Sequence, residues 1–86
     1  MEKKYFEDLV FDKRDFTENP FNPGEYDNCT FNGCNFSGID LSHNTFTECT
    51  FNGCNLSLTK LTNTGMREIK FSDCKMLGLH FEDCSD

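Results

Sequence analysis

From residue 6 to residue 81, every fifth residue is large and apolar. Ten of these are phenylalanines: Phe6, Phe11, Phe16, Phe21, Phe31, Phe36, Phe46, Phe51, Phe71 and Phe81. The remaining positions of the register hold Tyr26, Leu41, Leu56, Leu61, Met66 and Met76. A period of five is neither the 3.6 of a helix nor the 2.0 of a strand. No straight element can bury such a register on one side. A chain that turns a corner in every unit can, because each unit then sends one large side chain toward a common axis.

A second register lies two residues before the first. From residue 29 it reads Cys29, Cys34, Ile39, Asn44, Cys49, Cys54, Thr59, Thr64, Ile69, Cys74, Leu79 and Cys84. These are mostly small or apolar, as an inward site beside a Phe requires. The other three positions of each unit are Asn, Thr, Ser, Asp, Gly, Glu and Lys, which suit turns and face solvent. Two inward residues in five explain the composition. Only 36% of the residues are hydrophobic, a low value for a folded chain, yet ten Phe in 86 residues argue against a disordered acidic tail.

A longer repeat lies on top of the first. Cys29-Thr30-Phe31-Asn32-Gly33-Cys34-Asn35 recurs unchanged as Cys49-Thr50-Phe51-Asn52-Gly53-Cys54-Asn55, a shift of 20 residues. Four five-residue sides make one coil, and like residues stack from coil to coil. The predicted core ladders are Phe11, Phe31, Phe51 and Phe71, and beside them Cys34, Cys54 and Cys74. The fold class is all-β: a solenoid of about four coils, with parallel pairing between coils at ~4.8 Å.

These residues resemble those of the pentapeptide-repeat proteins, whose units have a central Leu or Phe preceded by Asn or Asp. The best matches are Cys29-Thr30-Phe31, Cys34-Asn35-Phe36-Ser37, Ile39-Asp40-Leu41-Ser42 and Cys54-Asn55-Leu56-Ser57. The resemblance covers about residues 6–84 and implies a right-handed quadrilateral parallel β-helix. The Cys-Asn-Phe-Ser style is similar to that of the quinolone-resistance branch. That likeness implies a DNA-mimicking protein that binds DNA gyrase.

Along the chain, residues 1–24 read as an irregular N-terminal coil or cap, and residues 25–86 as the regular solenoid of a single domain. In the first part Lys4, Leu9, Arg14 and Asn19 stand where a small inward residue is expected. Asn19-Pro20-Phe21-Asn22-Pro23-Gly24 is the clearest punctuation. At the other end Phe81-Glu82-Asp83-Cys84 keeps perfect register and no cap follows. Either the chain is a piece of a longer solenoid or its last coil is covered by a second subunit; a homodimer through the C-terminal coil is expected.

The cysteines invite metal and disulfide readings, and both fail. Their spacings contain no Cys-x-x-Cys pair, and neither His43 nor His80 completes a zinc knuckle. Stacked cysteines have parallel Cβ vectors, whereas a bridge needs them to converge. Cys reads instead as a compact inward hydrophobe. No Ser, His and Asp converge and no phosphate loop occurs, so the chain is read as non-enzymatic, with no catalytic, cofactor-binding or metal residues. Reduced thiols, and no apolar stretch behind Met1–Tyr5, point to the cytoplasm. No run reaches ~18 apolar residues, so no membrane-spanning helix is expected.

The net charge is −7. That balance disfavours direct contact with nucleic acid or an anionic membrane. Folded on a 20-residue coil, Glu7, Asp8, Glu25, Asp27, Glu48 and Glu68 gather on one face, with Arg67 the single base among them. Another face, holding Ser37, Gly38, Ser57, Leu58, Leu77 and Gly78, is nearly uncharged and exposes two leucines. A DNA duplex as long as the expected ~20 Å solenoid holds about 11 phosphates. The chain's net charge of −7 over a similar length has the right sign for a mimic and lies within a factor of two. Two functions follow: an interaction module for a protein partner, or a DNA-mimicking regulator of gyrase.

Overall fold

In the computed structural model, residues 4–79 are described. They form eight short strands: β1 (Lys4–Glu7), β2 (Val10–Asp12), β3 (Gly24–Asp27), β4 (Thr30–Asn32), β5 (Thr45–Thr47), β6 (Thr50–Asn52), β7 (Gly65–Arg67) and β8 (Lys70–Ser72). Odd strands stack as one parallel sheet, β1-β3-β5-β7, and even strands as another, β2-β4-β6-β8. Every pairing is offset by 20 residues, as in Phe11↔Phe31 and Phe31↔Phe51. The remaining two sides of the coil are joined by single bridges, Asp15↔Asn35↔Asn55↔Lys75 and Asp40↔Lys60. The result is a four-sided parallel β-solenoid, with no helix among the described residues.

Local chemistry decides which sides become strands. On the two sheet faces the residue before the large one is often Thr or Val, which suits an extended chain. On the other two faces it is often Asn or Asp, followed by Ser or Thr. There the side-chain oxygen accepts from the backbone two residues on. Ser37 N donates to Asn35 Oδ1 at 3.0 Å, Ser57 N to Asn55 Oδ1 at 3.1 Å and Ser42 N to Asp40 Oδ1 at 2.8 Å. These turns shorten the strand to one bridging residue.

Corners recur two residues after each large side chain, and they are left-handed. Nine non-glycine and four glycine residues have positive φ, spaced by five from Asp8 to Asp73 and Gly78. Glu18 and Pro23 break the series, and a proline ring cannot adopt positive φ. Departures from regularity gather there. Asn19 N bonds back to Asp15 O at 3.0 Å. The Asn19–Gly24 segment carries no bridge between Pro20 and Asp40. Lys4–Asp12, by contrast, pair in the common register.

The spacing predicts about four coils. The described residues place strands at four levels separated by three 20-residue steps, about three complete turns. The count is lower because four stacked levels span only three 20-residue steps. Phe81, Glu82, Asp83 and Cys84, whose register suggested the last turn, lie outside the described residues.

The core is a column of rings. Phe11, Phe31, Phe51 and Phe71 stack at 4.9, 4.8 and 5.4 Å between centroids. Phe6, Tyr26 and Phe46 form a second stack at 4.6 and 5.4 Å. The large inward residues from Tyr26 to Leu61 are fully buried, while Phe6, Phe11, Phe16, Met66, Phe71 and Met76 toward the ends are half-buried.

Candidate functional site

The inward small register does more than fill space. The Cys54 thiol donates to Phe31 O at 3.2 Å, Cys74 to Phe51 O at 3.1 Å and Cys34 to Phe11 O at 3.4 Å. Cys49 reaches Tyr26 O at 3.4 Å, and Cys29 reaches Phe6 O at 3.7 Å. Thr59 and Thr64 make the same bond with hydroxyls, to Phe36 O and Leu41 O, each at 2.8 Å. Each donor meets the carbonyl of the large residue 23 positions earlier. A compact hydrophobe was the expectation; what the register supplies is a compact donor for a buried carbonyl. Burial pushes the Cys49 thiol up to about 11. The Cys34 sulfur, together with burial, pushes the Cys54 thiol up as well. Cys29, Cys34, Cys49 and Cys54 are free and buried, Cys74 is free and half-buried, and Cys84 lies outside the described residues.

The acidic residues fall in adjacent columns of the odd-strand sheet and its corner. Glu7 stands in register with Asp27, and Tyr5 with Glu25. Asp8, Glu48 and Glu68 share the left-handed corner column with Asn28. Two polar bonds tie the first coil to the second here. Tyr5 OH donates to Asp27 Oδ2 at 2.8 Å, and Asn28 Nδ2 donates to Asp8 Oδ1 at 2.7 Å. The Asp27 carboxylate, with Glu7 and Glu25 nearby, pushes the Tyr5 phenol up to about 12. Arg67 ends the column of Glu7, Asp27 and Thr47.

A shallow groove of about 370 Å³ runs along the corner between the two sheets, lined by Asn28, Glu48, Thr50, Glu68 and Lys70. The sequence reading missed Lys70, which places a positive charge beside Glu48 and Glu68. Its signal was present, since residue 70 lies two past the acidic corner. On the even-strand face, an amide ladder runs from Asn52 Nδ2 to Asn32 Oδ1 and from Asn32 Nδ2 to Asp12 Oδ1, both at 2.9 Å. Asp12 ends it, because a carboxylate only accepts.

Other single residues have structural roles. The Asp40 carboxyl is held below the usual range by its bond to Ser42, as Asp15 is by Thr17. His43 occupies a left-handed corner. His80 lies outside the described residues. No group of three or more His, Cys, Asp or Glu able to hold a metal occurs among the described residues.

Repeat register, four-sided coil and stacked rings define a class. The chain belongs to the pentapeptide-repeat family, whose repeat-region profile matches residues 24–85. Among solved structures it is similar to trypsin-treated QnrB1, a plasmid-mediated fluoroquinolone resistance protein, at 29% identity and a TM-score of 0.68. That match covers 77% of this chain and 35% of QnrB1, so the chain spans about a third of that protein. No curated protein matches the chain in sequence.

Proposed function

We propose that this chain is a non-enzymatic interaction module that presents its rigid side faces to a protein partner. The observation that carries the reading is the odd-strand face, where Glu7, Asp8, Glu25 and Asp27 sit on a backbone ladder with side-chain bonds between coils. A surface held this firmly binds with little ordering cost. Affinity capture from source cells tests it, with the natural chain compared against Glu25→Lys/Asp27→Lys. Partners retained equally by both would reject the acidic face as the interface.

A second reading is favoured by the likeness to QnrB1: a DNA-mimicking regulator that occupies the duplex-binding surface of DNA gyrase. The acidic columns would stand in for phosphates, with Glu48 and Glu68 continuing the line past Asn28. A gyrase supercoiling assay with and without a fluoroquinolone tests this. Protection that is lost on reversing Glu48 and Glu68 supports the mimic; no effect at tens of micromolar rejects it. The same reading includes a homodimer through the C-terminal coil, checked by light scattering, and a cytoplasmic location suited to five unbridged thiols.

A further inference from the structure

The skin of the solenoid is polar column by column, with four outward exceptions. Val10 heads a column that continues as Thr30, Thr50 and Lys70. Tyr5 heads one that continues as Glu25, Thr45 and Gly65. Leu77 stands above Ser57, whose hydroxyl accepts its N–H. Leu58 takes a left-handed corner, φ 60°, in the column where Gly38 and Gly78 stand. A leucine is strained at that corner and glycine is not. All four are exposed: Tyr5 56%, Val10 60%, Leu58 69% and Leu77 76%.

They form two patches. Tyr5 and Val10, with half-exposed Leu9 between them, flank the first-coil corner between the two sheets. Leu58 and Leu77 meet at the opposite corner, in coils three and four, where Leu58 Cδ2 would touch a Cβ on Gly78 at 2.7 Å. The rims differ in sign. Glu7, Asp8 and Asp12 surround the first patch, with Lys4 at its edge. Lys75 and Lys60 flank the second, with Asp40 in backbone register with Lys60 on the coil before. An apolar centre with a complementary charged rim is the anatomy of a protein interface.

We propose that these two patches are the halves of one contact, so that the Leu58/Leu77 corner of one chain docks on the Tyr5/Val10 corner of a second copy. The two halves lie at different ends and on opposite corners, so the contact is heterologous and leaves a free patch at each end of the pair. Four apolar side chains bury far less than the ~1,200 Å² of a stable interface. The contact is therefore weak and concentration-driven, and it covers Glu7 and Asp8 while leaving Glu48 and Glu68 open.

Sedimentation velocity on the full chain, from about ten to several hundred micromolar, tests this. The natural chain should grow continuously beyond its smallest species. Two double variants each remove one half while copying residues already present in the same columns: Leu58→Gly/Leu77→Ser and Tyr5→Thr/Val10→Thr. Each alone should associate at least about tenfold more weakly. Mixed, they should form a discrete one-to-one complex, since each keeps the half the other lacks. Leu58→Gly relieves strain, so circular dichroism should show that variant folded; should the Tyr5→Thr/Val10→Thr variant unfold, Asp8→Lys/Asp12→Lys replaces it. A closed dimer through the last coil is distinguishable, because it would survive in both variants. No growth of the natural chain, or growth that persists in either variant, overturns the proposal.

Discussion

Gly24→Ala is the smallest change with the largest expected effect on the fold. Gly24 opens β3 and sits in register with Lys4 of β1. A Cβ there would lie 2.3 Å from Lys4 O and 3.2 Å from a Phe6 ring carbon. Ordinary contact begins near 3.4 Å, so Ala must push β1 outward by roughly 1 Å, against strands spaced at ~4.8 Å. That displacement strains the β1–β3 ladder, the Tyr5–Asp27 bond and the Phe6–Tyr26 stack together. Overpacking of this kind costs about 1–3 kcal/mol, and the lost hydroxyl bond adds about 1. At ~4–8 °C per kcal/mol, the midpoint should fall by roughly 10–25 °C. Thermal unfolding by circular dichroism reads the global cost. Amide hydrogen exchange of residues 4–7 shows whether the first coil detaches instead. Gly53→Ala is the control: its φ is 60°, but no atom lies within 4 Å of the added methyl, so only backbone strain of ~1–2 kcal/mol applies. If Gly24→Ala leaves both readouts closer to the natural chain than Gly53→Ala does, the steric reasoning is wrong.

Three further outcomes are expected. Cys54→Thr should hold stability within about 0.5 kcal/mol, since Thr59 and Thr64 make the same bond, whereas Cys54→Val should lose ~1 kcal/mol with the thiol's bond to Phe31 O; urea melts compare them. The Tyr5 phenol is raised from 10 to about 12, so its contribution to stability is intact below pH 10 and fades as pH climbs toward 12. Ultraviolet titration of Asp27→Asn should move the Tyr5 midpoint down toward its ordinary value; a native Tyr5 already titrating at 10 would contradict the bond. In a thiol-labelling time course on the native protein with Cys84 replaced by Ser, half-buried Cys74 should react before Cys29, Cys34, Cys49 and Cys54, and equal rates for all five would show that the coils open together.

Much of the fold could be read from residue spacing. Side chains 20 apart stack because the coil has four five-residue sides, so Phe11, Phe31, Phe51 and Phe71 fall in line before any coordinates are known. The acidic columns follow from the same arithmetic. What spacing cannot carry is direction and reach. That Cys and Thr share a register was visible, but not that each aims its hydrogen at a carbonyl 23 residues back. Tyr5 and Val10 fell within the irregular N-terminal coil because Lys4 and Leu9 beside them break the inward pattern, although the outward columns they head are regular. Lys70 escaped attention because the corner was read as one face, whereas the groove draws from two.

The inward donors also have a sense along the chain. Beside contacts within their own coil, to the carbonyl two residues back, the cysteines and threonines that reach between coils do so from the later coil to a carbonyl of the earlier one: Cys29 to Phe6, Cys34 to Phe11, Cys54 to Phe31, Thr64 to Leu41, Cys74 to Phe51. A chain emerging N-terminus first from the ribosome therefore brings each new inward donor to a carbonyl already in place, whereas backbone donors such as Lys13 N and Phe16 N wait for Asn32 O and Asn35 O of the next coil. The inward column, unlike the backbone ladder, is thus satisfied in the direction of synthesis, one coil at a time.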